Sequence, residues 1–172
     1  MMSGQNTIKR GTLNHLRLTV SNIAKAEKFY DPIARFMGYS LVEKSNHRLS
    51  WAGLAGHGNL QFLILSQSKK GRSRPHDRYS PGLHHVAWNA ESREEVDAFY
   101  EMLLENNVCI LDPPADYSYE PGYYAVFFAD PDGMKLEFVH VPIEGSQVYW
   151  HLFAALGQNP LKKINERVGC CE

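Results

Sequence analysis

The chain has 172 residues, 44% of them hydrophobic and 22% charged, with a formal net charge of -1. That is enough apolar material for one domain of ordinary size, or for two small modules sharing a core. The near-neutral balance gives no electrostatic case for nucleic acid or an anionic membrane, and no apolar run has the length of a bilayer span.

The first residues, MMSGQNTIKRG, are polar and lack the apolar centre of a signal peptide. The cysteines are Cys109, Cys170 and Cys171, an odd number with two adjacent, which is no disulfide framework. The expectation is a cytoplasmic protein in a reducing compartment.

LNHLRLTV, Leu13 to Val20, alternates apolar and polar residues and predicts a strand. Ser21 is the expected N-cap of the helix that follows, and Pro32 inside that helix is expected to kink or divide it. Three strands come next, over Ser40 to Glu43, Leu49 to Gly53 and Asn59 to Leu65. The segment from Ser66 to Gly82 carries Lys69, Lys70, Arg72, Arg74 and Arg78 against Asp77. It reads as a solvated basic linker, or as a flap that meets an anionic substrate.

GLHHVAWNA then predicts a strand over Leu83 to Ala90. Ser92 and Glu95 form a capping-box pattern, and Val96, Phe99 and Leu103 lie on one face of the helix they open. Further strands are expected over Val108 to Leu111, Tyr123 to Ala129 and Lys135 to Val141, the last two joined by the DPDG turn at Asp130 to Gly133. In the tail from Pro142 to Glu172, Val148, Leu152 and Leu156 share a helical face that Gly157 could end. That helix is expected to pack on the body or on a second subunit.

The order of elements repeats. His15 and His85 stand 70 residues apart, and so do Phe29-Tyr30 and Phe99-Tyr100. NLQFLIL matches KLEFVHV at an offset of 76, which sets Gln61 against Glu137. The fold class is therefore α+β, built from two βαβββ modules in a single domain. Module one covers about 13–66, the basic linker 67–82, module two 83–141 and the helical tail 142–172.

Alternation sorts the faces. Leu16, Leu18 and Val20 are assigned to the core, with His15, Arg17 and Thr19 opposite. Leu60, Phe62 and Ile64 are assigned to the core, with Gln61 opposite. Met134, Leu136 and Phe138 are assigned to the core, with Glu137 opposite. Pairing with His15 puts His85 on the polar face and leaves His84 packed with Val86 and Trp88. Two imidazoles, a carboxylate and an amide carbonyl without thiolate suit Mn, Fe(II), Co, Ni, Zn or Mg. The alternative for each histidine is a hydrogen-bonded structural role.

NHLRLTV, GLHHVAW and YYAVFFADPDGMKLEFV, within Leu13 to Val141, resemble the vicinal oxygen chelate superfamily. It holds glyoxalase I, bleomycin-resistance proteins, extradiol dioxygenases and fosfomycin-modifying enzymes. The resemblance implies paired modules whose sheets curl into a cup around a divalent metal ion. It places the ligands on His15, His85 and Glu137, with Gln61 at the more variable fourth position. It also implies substrate-lining roles for Thr19, Asn89, Tyr119, Tyr123 and Phe127, and a homodimer acting on a small molecule.

The chain departs from each familiar member. Glyoxalase I has a glutamate where Gln61 stands and a glutathione-binding arginine at Thr19. Extradiol dioxygenases have a tyrosine at Phe127, and fosfomycin-modifying enzymes a threonine at Arg17. Methylmalonyl-CoA epimerase shares the ligand types but not this DPDG turn. The resemblance implies proton transfer beside a carbonyl, of lyase or isomerase type, with Glu137 as ligand and candidate base. Arg17, two residues from His15 on the same face, is placed either to bind a substrate carboxylate or phosphate or to form an ion pair with an inner carboxylate. Fe(II) extradiol cleavage and non-catalytic small-molecule binding are the rival readings.

Overall fold

The computed structural model describes residues 12–54, 59–70 and 75–142. The sequence expectations for the N-terminal segment, the arginines at 72 and 74, and the tail face of Val148, Leu152 and Leu156 lie outside these residues. So do Gly157, Cys170 and Cys171.

The first module runs β1 (His15–Val20), α1 (Ile23–Phe36), β2 (Ser40–Lys44), β3 (Arg48–Leu54) and β4 (Leu60–Gln67). The second runs β5 (His85–Asn89), α2 (Arg93–Glu105), β6 (Cys109–Asp116), β7 (Tyr124–Ala129) and β8 (Lys135–His140). Each forms a four-stranded mixed sheet, in the orders β1-β4-β3-β2 and β5-β8-β7-β6. The first strand of each module pairs in parallel with its last, and the other pairs are antiparallel. The predicted repeat is therefore a structural repeat. No described helix is long and apolar enough to cross a membrane.

Both helices begin where a side chain satisfies a free backbone N–H. For α2 the cap is Ser92, whose hydroxyl accepts from the Glu95 amide at 3.2 Å. For α1 it is Asn22 rather than Ser21, with its side-chain oxygen accepting from Lys25 at 2.9 Å. Ser21 instead gives its amide to Asp132 Oδ2 at 2.7 Å. Helix α1 continues through Pro32 to Phe36 and is not divided there.

Leu18, Leu63, Leu65 and Trp51 from the first sheet join Val126, Phe128, Leu136 and Phe138 from the second in one buried core. Helix α1 bridges them: Phe29 meets Phe128 at 6.3 Å between ring centroids, and Phe36 meets Phe99 at 5.1 Å. The opposite face of each sheet lies outside this core.

The DPDG turn adds a polar latch between the modules. Asp130 is 6% exposed. Its Oδ1 accepts from the Asp132 and Met134 amides, and its Oδ2 accepts from the Tyr30 hydroxyl at 2.9 Å. Gly133 closes the turn at φ +84°, a left-handed conformation that favours glycine. Burial pushes both the Asp130 carboxyl and the Tyr30 hydroxyl above their ordinary values. Tyr30→Phe keeps the ring and leaves Asp130 Oδ2 without its donor. It should lower stability by about 1–3 kcal/mol. Denaturant unfolding measures this, and an unchanged midpoint would show that the latch contributes nothing.

Candidate metal half-sites

Parallel pairing of β5 with β8 sets Ala87 opposite Glu137 and His85 opposite Lys135. Paired residues share a face, so His85, Ala87 and Asn89 lie with Lys135, Glu137 and Val139 outside the core. There His85 Nε2 stands 3.1 Å from Glu137 Oε2. The other carboxylate oxygen accepts from the Tyr123 hydroxyl.

Glu137 is 1% exposed although it lies outside the main core. A second apolar cluster covers this face: Ala125, Phe127 and Val139, with Tyr117, Tyr123 and Val141 packed on them. Register shifts in β6 on either side of Asp112 go with Pro113 and Pro114, which an edge strand tolerates. Beyond β6, Tyr117 lies edge-on to Phe127 at 5.2 Å, and Tyr119 stacks on Tyr117 at 5.6 Å. Lys135 Nζ sits 3.6 Å above the Phe127 ring, a cation–π contact. Phe127 is thus covered by Lys135 and Tyr117, while Tyr119 is 68% exposed. Burial and the bond to Glu137 push the Tyr123 hydroxyl above its ordinary value, so it stays protonated as a donor.

His84 departs from its expected place. The strand begins at His85, and His84 is exposed just before it rather than packed with Val86 and Trp88. Its ring lies 5.8 Å from Tyr79, and its Nδ1 is 2.6 Å from Nδ1 of His85. Desolvation, with the charges of His85, Arg78 and Lys135, holds its pKa below the ordinary histidine range. Strand alternation does not extend to a residue outside the strand.

The first module carries the other candidate residues. His15 is exposed at the start of β1, and its Nδ1 meets Asn14 Oδ1 at 2.8 Å. An amide oxygen only accepts, so the contact uses Nδ1 as donor, and in the neutral ring that leaves the lone pair on Nε2. Arg17 and Thr19 follow on the same exposed face, with Arg17 Nε donating to Ser66 Oγ at 3.0 Å.

Gln61 is not on that face. β1 and β4 register His15 with Phe62 and Arg17 with Ile64. Gln61 therefore shares the side of Leu63 and Leu65. There Nε2 donates to the Leu13 carbonyl at 3.1 Å, and Oε1 accepts from Tyr39 at 3.4 Å. The expected burial of Leu60 fails with it, since Leu60 is 55% exposed. Phe62 is only half-buried, and Ile64 is buried outside the shared core. In the structural repeat, Arg17 matches Ala87, so the position matching Glu137 is Ile64, at an offset of 73. An alkyl chain there cannot ligate.

β1 and β5 are edge strands, and a cleft of about 780 Å³ between them is lined by His15, Leu16, Phe36, Leu63, Trp88 and Phe138 among others. Among the described residues, no three His, Cys, Asp or Glu side chains come together as a metal-binding group. The His85–Glu137 pair itself fits an ion. Two donors at right angles, each about 2.1 Å from one metal, stand about 3.0 Å apart.

Sequence reasoning did not find the Tyr123–Glu137 bond or the seat of Lys135. Tyr123 precedes β7, and its reach to β8 has no periodic signal.

Residues 12–138 match the model of the Glyoxalase/Bleomycin resistance protein/Dioxygenase superfamily. The chain is 30% identical over 129 residues to the uncharacterized protein YqjT of Bacillus subtilis (strain 168), covering 74% of this chain and 97% of that one. It is 31% identical over 127 residues to metallothiol transferase FosB of Lysinibacillus sphaericus (strain C3-41), covering 74% and 80%. A crystal structure of a putative glyoxalase from Bacillus halodurans superposes with a TM-score of 0.64 at 27% identity, covering 77% of this chain and 97% of that one.

Proposed function

Because the chain belongs to the Glyoxalase/Bleomycin resistance protein/Dioxygenase superfamily, we propose that it is a divalent-metal-dependent enzyme acting on a small molecule with two neighbouring oxygens. The observation that carries this is the His85–Glu137 pair, with donor atoms 3.1 Å apart and the carboxylate buried. A buried carboxylate is costly unless it is paired or holds a metal.

The assembly we propose is a homodimer in which His15 of one protomer joins His85 and Glu137 of its partner. The open edges of β1 and β5 support it, since each carries unpaired backbone groups beside its half-site. Three protein ligands leave coordination positions for substrate oxygens.

A bound ion supplies Lewis-acid stabilisation of charge on those oxygens. The protein's residues do the rest. Arg17 comes to the completed site on the same strand face as His15, and its guanidinium suits a carboxylate, phosphate or phosphonate. The exposed Tyr119 ring, stacked on Tyr117, offers a flat surface to the apolar part of the substrate. Thr19 and Asn89 lie exposed on the same outer faces.

The reaction we favour is transfer of a thiol onto an electrophilic carbon. The sulfur–carbon bond forms, a carbon–oxygen bond breaks, and the thiol proton passes to the released oxygen. Two observations support it. Two relatives are named metallothiol transferase. Ile64 stands where a second carboxylate base would be, and the Tyr123 hydroxyl already occupies one of the two Glu137 oxygens. Proton transfer beside a carbonyl would rest on Glu137 alone.

Metal-loaded protein assayed with thiols and small epoxides, alongside α-hydroxycarbonyl compounds in deuterated water, tests the choice. Thiol adducts without solvent deuterium uptake are expected. Deuterium uptake without adducts would reverse the assignment. Protein that takes up none of Mn, Fe(II), Co, Ni or Zn would sink the metal-dependent reading.

A further inference from the structure

We infer that Tyr123 is a positioning residue that gives the two oxygens of Glu137 different roles. Its hydroxyl occupies Oε1 and leaves Oε2, beside His85 Nε2, to face the metal. This rests on the metal-dependent reading above.

The geometry is specific. Oε1 accepts from Tyr123, and Oε2 is the oxygen 3.1 Å from His85. At 1% exposure the carboxylate has almost no access to water, so the protein must satisfy Oε1 itself. With Oε1 held by an O–H donor, the carboxylate keeps one orientation and presents one oxygen. Outer donors of this kind orient a metal ligand and tune its affinity.

Tyr123 is itself held in place. Its ring lies edge-on to Tyr117 at 6.3 Å and to Tyr119 at 5.3 Å. Its amide donates to the Glu120 carbonyl at 3.2 Å, and its carbonyl accepts from the Tyr117 amide at 3.0 Å. Gly122, at φ +77°, turns the chain into β7, and a Cβ there would meet Pro142 Cγ at 2.7 Å. The hydroxyl thus approaches Glu137 from a braced ring rather than a free arm.

The test is a Co(II) titration of the full-length wild-type protein, Tyr123→Phe and Tyr117→Phe, with thermal midpoints of the metal-free proteins measured in parallel. Tyr123→Phe keeps the aromatic packing and loses only the donor. It should bind Co(II) about ten- to a hundredfold more weakly at unchanged stoichiometry. Tyr117→Phe, whose hydroxyl does not bond Glu137, should match the wild type. Wild-type affinity in Tyr123→Phe, even with a lowered thermal midpoint, would make the bond merely structural and overturn the inference. So would an equal loss in both variants. Wild-type protein that binds no Co(II) or other divalent ion overturns the proposed function itself, which is a separate result.

Discussion

His85→Ala is expected to abolish tight metal binding, or to weaken it by several orders of magnitude, while His84→Ala keeps the metal stoichiometry. His85 puts Nε2 beside the buried Glu137 carboxylate, and the substitution deletes the proposed ligand atom. The fold should survive, because the β5–β8 ladder and the packing of Val86 and Trp88 on the core do not depend on the imidazole. His84 is exposed and outside the strand, so its removal should leave the thermal midpoint essentially unchanged. A small loss of metal affinity in His84→Ala is consistent with this assignment, since its Nδ1 lies 2.6 Å from Nδ1 of His85 and can orient that ring. Elemental analysis and titration of the two purified variants decide the matter. If His84→Ala loses the metal and His85→Ala retains it, the ligand assignment is wrong.

Mixing two defective variants should restore activity. His15→Ala removes the proposed first-module ligand, and His85→Ala removes a proposed ligand from the second. If each site draws His15 from one protomer and His85 with Glu137 from the other, a mixed dimer holds one doubly damaged site and one intact site. Random exchange makes about half the dimers mixed, so about a quarter of all sites are intact for an isologous pair. Metal uptake and turnover should approach that fraction after co-refolding, from near zero in either variant alone. A site built within one chain gives no recovery, since every chain carries one lesion. Light scattering on the same samples checks the premise, and a monomer at working concentration would refute it.

The candidate site was legible where a residue's environment is set by its own strand. The repeat of His15 and His85, and the placing of Glu137 away from Leu136 and Phe138, follow from alternation and hold in the structure. Gln61 shows the limit. Leu60, Phe62 and Ile64 form one apolar set, and Leu63 and Leu65 form another, so period two alone does not choose the buried face of LQFLIL. The parallel ladder with β1 chooses it, and a one-residue slip moves every side chain to the other face. His84 shows a second limit, because periodicity says nothing about a residue just outside the ladder.

By itself the sequence determined the two βαβββ modules, their helices and turns, and the residue types of a candidate nitrogen–oxygen ligand set. These depend on local periodicity, capping and turn chemistry, which neighbouring residues carry. Only the tertiary structure decided that both sheets bury one face in a shared core, leaving His15 apart from the His85–Glu137 pair. It also decided that Ile64 rather than Gln61 takes the place in the first module that Glu137 takes in the second, and that Tyr123 closes over Glu137. Strand register and the meeting of distant segments are set by packing between elements far apart in the chain, and no local pattern records that packing.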